Sequence, residues 1–99
     1  MIRENILKDA IRCVCTDRNA QYGEPEDNFE VIAQLWSVYL KNVGVASVPD
    51  AIGAFDVAVM MGLFKIGRLI TAEEQKADTF VDACGYLACA GQIGCGEDL

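Results

Sequence analysis

The chain has 99 residues, enough for one domain of ordinary size and too few for two. Hydrophobic side chains make up 53% of it and charged ones 23%, which excludes general disorder and makes helix–helix association the expected way to enlarge so small a core. The net charge of −7, from 15 acidic and 8 basic residues without a Lys/Arg cluster, argues against duplex DNA, whose binders need a basic face to displace counterions.

Ile2, Ile6, Leu7, Ala10, Ile11 and Val14 recur at helical spacing, so a first amphipathic helix is expected at the N-terminus, with Arg3, Glu4, Lys8, Asp9 and Arg12 largely off the apolar stripe. Thr16 to Asp27 has no such period. It holds Tyr22-Gly23 and a Pro25 flanked by acids, and reads as an ordered loop. Asp27 or Asn28 then caps a second helix, whose inward face is Phe29, Ile32, Ala33, Trp36, Tyr39 and Leu40. Gly44, Ser47 and Pro49 break that helix into another loop over residues 42–50.

The third segment, from about Ala51 to Ile70, is apolar nearly all round and is expected to be buried on most sides, against its own chain and a partner. Lys65 and Arg68 keep it from being a membrane span. Gly53, Gly62 and Gly67 each cost roughly 1 kcal/mol in a helix interior relative to Ala, which points to close approach by a neighbouring helix. A charged link, Thr71 to Ala77, leads to a fourth helix from Asp78 to about Gln92, with Phe80, Val81, Cys84, Leu87, Ala88 and Gly91 inward. Residues 94–99 are expected to fray. The fold class is therefore all-α: one domain over 1–99, a four-helix bundle completed by oligomerisation.

The five cysteines are odd in number, lack a C-x-x-C, and have no histidine beside them, so a Cys/His zinc site is not expected. Cys13 and Cys84 lie among apolar neighbours and read as small core residues. Neither a signal-peptide run nor an apolar stretch of membrane-spanning length occurs, and the expected location is the cytoplasm.

Asp78 and Asp82 are spaced i, i+4 and share a helix face, while Asp56 opens the third helix. Carboxylates from two helices of a bundle suit Mg²⁺ or Mn²⁺, hard cations that prefer oxygen. Lys65 and Arg68, at i and i+3, form a cationic pair suited to phosphate oxygens. The alternative is structural: Asp78 as a helix cap, with Asp56 or Asp82 paired to Arg68 or Lys65. Arg18, Tyr22 and Asn28, in or beside the first loop, are suited to a base, a ribose or a phosphate. Equally, Tyr22-Gly23 could anchor that loop and Asn28 cap the second helix.

Three blocks carry a resemblance: Arg18…Tyr22-Gly23…Asn28-Phe29…Ile32-Ala33…Leu35-Trp36…Tyr39-Leu40, then Asp56-Val57-Ala58…Met60-Met61…Leu63…Lys65…Arg68, then Asp78…Val81-Asp82…Gly85-Tyr86. Over residues 16–90 the chain resembles a family of short phage and prophage proteins of unknown function, near the MazG-like all-α nucleoside triphosphate pyrophosphohydrolases. That resemblance implies a MazG-like bundle, a nucleotide ligand, and Mg²⁺ or Mn²⁺ held by Asp56, Asp78 and Asp82, the catalytic acids of such an enzyme. The MazG-like pattern is E-x-x-E on one helix and E-x-x-D on the next. Here Asp78-x-x-x-Asp82 stands for the second, and the first lacks a counterpart, since Glu30 is followed at that distance by Ala33. Two expectations follow: a Mg²⁺-dependent pyrophosphohydrolase, or a non-catalytic relative that captures a nucleotide signal.

Overall fold

A computed structural model of the chain describes residues 1–17, 23–44 and 52–96. Among them are four α-helices and no strand: α1 (Ile2–Arg12), α2 (Pro25–Asn42), α3 (Ala54–Thr71) and α4 (Ala77–Cys95). A short π-helical segment, Cys13–Asp17, continues α1. Helix α3 lies between α2 and α4, and α1 packs on α4.

The helix ends differ from the expected ones for identifiable reasons. Glu24, not Asp27 or Asn28, is the N-cap of α2, and its carbonyl accepts from the amides of both. Pro25 takes the first helical position, where its fixed φ suits the helix and its missing N–H is not needed, so the loop is shorter than its composition implies. Helix α3 starts at Ala54 rather than Ala51, because Gly53 is extended and its N–H donates to the Asp56 carboxylate at 2.9 Å. Helix α4 runs three residues beyond Gln92, into the expected frayed tail. It stops where Gly96 adopts φ 86°, a left-handed-side conformation suited to glycine.

The core is built from small side chains. Phe29 and Ala33 of α2, Val57 and Ala58 of α3, and Cys89 and Ala90 of α4 form one buried cluster, with Trp36 and Tyr86 packed against it. Phe29 and Tyr86 place their ring centroids 6.0 Å apart. A Cβ at Gly62 would sit 3.2 Å from Leu87 Cδ2, the close helix approach that the glycines of the third segment suggested. Gly67 has no such neighbour, and Gly53 lies outside the helix. Buried Ser37 is satisfied by Ile52: its hydroxyl donates to the Ile52 carbonyl at 3.4 Å and accepts the Ile52 N–H at 3.3 Å.

Several expected inward faces are rotated. In α1 only Ala10 is buried, and Ile2, Leu7 and Ile11 are exposed, because among the described residues α1 packs chiefly on α4. Tyr39 of α2 points outward. In α4 the buried line is Val81, Gly85, Cys89 and Ala90, while Leu87, Ala88 and Gly91 are exposed. Cys13 and Cys84 are half-buried, and Cys89 is the cysteine of the core. Helix α3 is not buried on most sides within the chain, since Leu63, Phe64 and Ile70 are 59%, 51% and 78% exposed. No described helix is long and apolar enough to cross a membrane.

Candidate functional site

Helices α3 and α4 run antiparallel. The Phe55 ring packs over Gly94, Leu87 lies over Gly62, and Lys65 meets Asp82. The Lys65 ammonium is 3.1 Å from Asp82 Oδ2, with the two side chains 19% and 20% exposed. Helix α1 runs parallel to α4, with Asp9, Arg12 and Cys13 beside Asp78, Val81 and Asp82, and Val14 one turn on beside Gly85. Between them lies a cleft of about 280 Å³ lined by those six residues.

This cleft gathers Asp78 and Asp82 on adjacent turns of α4, with Asp9 facing them from α1. Arg12 donates to Asp9 at 3.2 Å, so the cleft carries both signs of charge. Asp78 is exposed in the first turn of α4, after the N-cap Lys76, and is not itself the cap. Its carboxylate gains from the positive end of that helix. Lys65 reaches the cleft edge through Asp82, realising one of the ion pairs that the structural alternative named.

Arg68 is exposed, with its guanidinium 4.8 Å from the centre of the Phe64 ring. It thus has a route to solvent, which a charge in so apolar a segment needs when it lacks a buried partner. Asn28 sits half-buried in the first turn of α2. Arg18 and Tyr22 lie outside the described residues.

The three-carboxylate set does not assemble. Asp56 caps the end of α3 beside Gly94, and Asp78 lies sixteen residues of α4 away, on the order of 24 Å at the helical rise. The reason is topological: in an antiparallel hairpin, the first residues of one helix meet the last of the other. Among the described residues no three Asp, Glu or Cys side chains group closely enough to hold a metal ion. Asp78 and Asp82 remain as a two-carboxylate face. Sequence spacing did not reveal Asp9, Arg12 and Cys13 as their neighbours, because nothing in a helical period says which helix packs parallel to which.

Residues 5–94 match the family model described as a domain of unknown function, DUF6378. Two curated relatives are the "Gene 55 protein" of Mycobacterium phage D29 and that of Mycobacterium phage L5. The first is 38% identical over 90 residues, covering 91% of this chain and 54% of the phage protein. The second is 36% identical over 94 residues, covering 95% and 55%. The chain thus spans about half the length of these relatives. No solved structure matches it significantly.

Proposed function

The chain belongs to the DUF6378 family, and from that premise we propose that it binds a nucleotide at the α1–α4 cleft, as a relative of the MazG-like pyrophosphohydrolases. The observation that carries this reading is the convergence of Asp78, Asp82 and Lys65 at one end of the α3–α4 hairpin, beside an open cleft. Mg²⁺ is commonly held by one or two carboxylates together with the phosphates of its ligand and water, so Asp78 and Asp82 suffice for a metal–nucleotide complex without Asp56. Lys65 and Arg68, one turn apart on α3, supply cations for the remaining phosphate charge.

The separation of Asp56 from the other two carboxylates favours capture over turnover. A pyrophosphohydrolase needs enough fixed ligands to hold the metal and activate its water, whereas a nucleotide trap needs only affinity. Calorimetric titration with nucleoside triphosphates and Mg²⁺ or Mn²⁺ tests the reading. One site is expected in the parent, weakened in Asp78→Asn, in Lys65→Ala and in Arg68→Ala. If no member of the panel binds, the reading is wrong, and release of pyrophosphate from a bound nucleotide would replace the trap with the enzyme.

We also propose that the chain is at least dimeric through α3. Its outward face carries Met60, Leu63, Ile66 and Ile70 in water, an exposed apolar patch of the kind that marks a protein contact. Light scattering at micromolar concentration checks this, and a stable particle of 10.8 kDa would refute it.

A further inference from the structure

Helix α2 has a second apolar stripe, separate from the core and from the outward face of α3. Val31, Leu35 and Val38 are 55%, 64% and 59% exposed and recur at spacings of four and three, the seam of a two-helix coiled coil. Phe29, Ala33 and Ser37, on the opposite side of the same helix, are buried in the chain's own core. Thus α2 is apolar on two faces, and among the described residues only one of them is covered.

The flank of this stripe says what covers the other. Asp27, Gln34 and Lys41 are seven residues apart, two helical turns each, so they line one edge of the seam. All three are exposed, and neither Asp27 nor Lys41 has an ion-pair partner among the described residues. Opposite charges stand at equal distances either side of an uncharged centre. That arrangement is self-complementary across a twofold axis: when α2 meets α2 of a second copy antiparallel, Asp27 of each faces Lys41 of the other and the two Gln34 side chains meet at the axis. Val31 of one copy then comes level with Val38 of the other, twice, and the two Leu35 side chains lie beside the axis. In a parallel pairing Asp27 and Lys41 stay two ends of a helix apart and never meet.

We propose that the outward face of α2 binds a second copy of this chain, antiparallel, about a twofold axis at Gln34. The contact is independent of the nucleotide cleft and distinct from the α3 face. Together two such twofold contacts build a particle larger than a dimer.

The test is a charge exchange read by sedimentation and light scattering. Leu35→Lys is expected to halve the mass of the parent particle while leaving its helical circular dichroism unchanged. Asp27→Lys alone, or Lys41→Glu alone, places like charges together at both ends of the seam, and each is expected to weaken association by about tenfold. The double variant Asp27→Lys/Lys41→Glu restores the pairing with signs reversed and is expected to regain the parent mass. As these two positions are exposed, the exchange remains readable even if Leu35→Lys folds poorly. Under mild oxidation Gln34→Cys is expected to give a 34–34 linked peptide by mass spectrometry, and Glu30→Cys no 30–30 peptide. A particle mass indifferent to Leu35→Lys, or a double variant no better associated than the singles, overturns the proposal. Loss of nucleotide binding in these variants is not expected, so failure here leaves the cleft untouched.

Discussion

Against α3, helix α4 meets small side chains at close range, whereas against α1 it leaves a cleft lined by charge. The first seam is closed by Val57, Ala58, Cys89 and Ala90, with Leu87 seated on Gly62 and the Phe55 ring on Gly94. The second touches closely where Val14 approaches Gly85, and beside that point Asp9, Arg12, Asp78 and Asp82 line an open cleft. Dense packing fixes the spacing of a hairpin, and the fixed hairpin then presents its charged end at constant geometry. A ligand site needs both: rigid support on one side, and unfilled polar space on the other.

The sharpest break of the closed side is Phe29→Ala. Phe29 is buried in the core cluster and packs on Tyr86, so its removal leaves a cavity where α2 and α4 are tied to α3. A loss of about 3–5 kcal/mol is expected in urea unfolding, a large part of the margin of so short a chain. A loss below about 1 kcal/mol would mean that α2 is not held by this cluster.

The next largest effect separates the two sides. Lys65 and Asp82 are about four-fifths buried, so the pair lies between a surface bridge and a core one. Lys65→Ala removes the charge and its methylene stem together and is expected to cost about 1–2 kcal/mol. Lys65→Met keeps the stem and is expected to recover most of that stability without recovering nucleotide binding. If Lys65→Met binds nucleotide like the parent, the lysine serves packing alone.

Helix count and order were legible in the sequence because Phe29, Ala33 and Val57 carry strong apolar periods. Their boundaries were less so. Pro25 looked like a loop residue and is the first residue of α2, and Gly53 looked like a helix residue and is a cap. The outward faces misled for a different reason. Leu63, Ile70 and Leu7 are apolar by composition, and a period cannot distinguish a stripe that meets its own chain from one that faces water. The candidate site was half legible: the i, i+4 spacing put Asp78 and Asp82 on one face, and Lys65 does meet Asp82. Asp56 was misjudged because which helix ends meet depends on the antiparallel turn at residues 72–76, a three-dimensional fact.

A smaller effect concerns a glycine in α3 whose absence of side chain serves no contact. A Cβ at Gly67 would meet nothing within 4 Å. Gly67→Ala is therefore expected to stabilise the chain by about 0.5–1 kcal/mol, from helix propensity and a less flexible unfolded chain. At Gly62, Leu87 must give way to admit the same methyl, so Gly62→Ala is expected to gain less. Equal gains at both positions would show that the Gly62–Leu87 approach does not tighten the closed seam.

The smallest effect belongs to Cys89, where the two sides meet. Burial in the core pushes its thiol above the ordinary value of 9.0, and nearby Glu26 of α2, then Cys15 of the π-helical segment, push the same way by disfavouring a second negative charge. A thiol raised on folding holds its proton more tightly in the folded chain than in the unfolded one. Its contribution to stability is thus complete below the unfolded thiol's pKa and is lost as pH rises through the folded one. The parent is expected to lose stability between pH 9 and higher pH more steeply than Cys89→Ala, whatever the offset between them at pH 7. Glu26→Gln, which removes the neighbouring charge but not the burial, is expected to fall between the two. Urea midpoints measured across that pH range decide it. Parallel curves for parent and Cys89→Ala would mean that this thiol is as well solvated as an unfolded one, and that the seam between α3 and α4 is not closed at its centre.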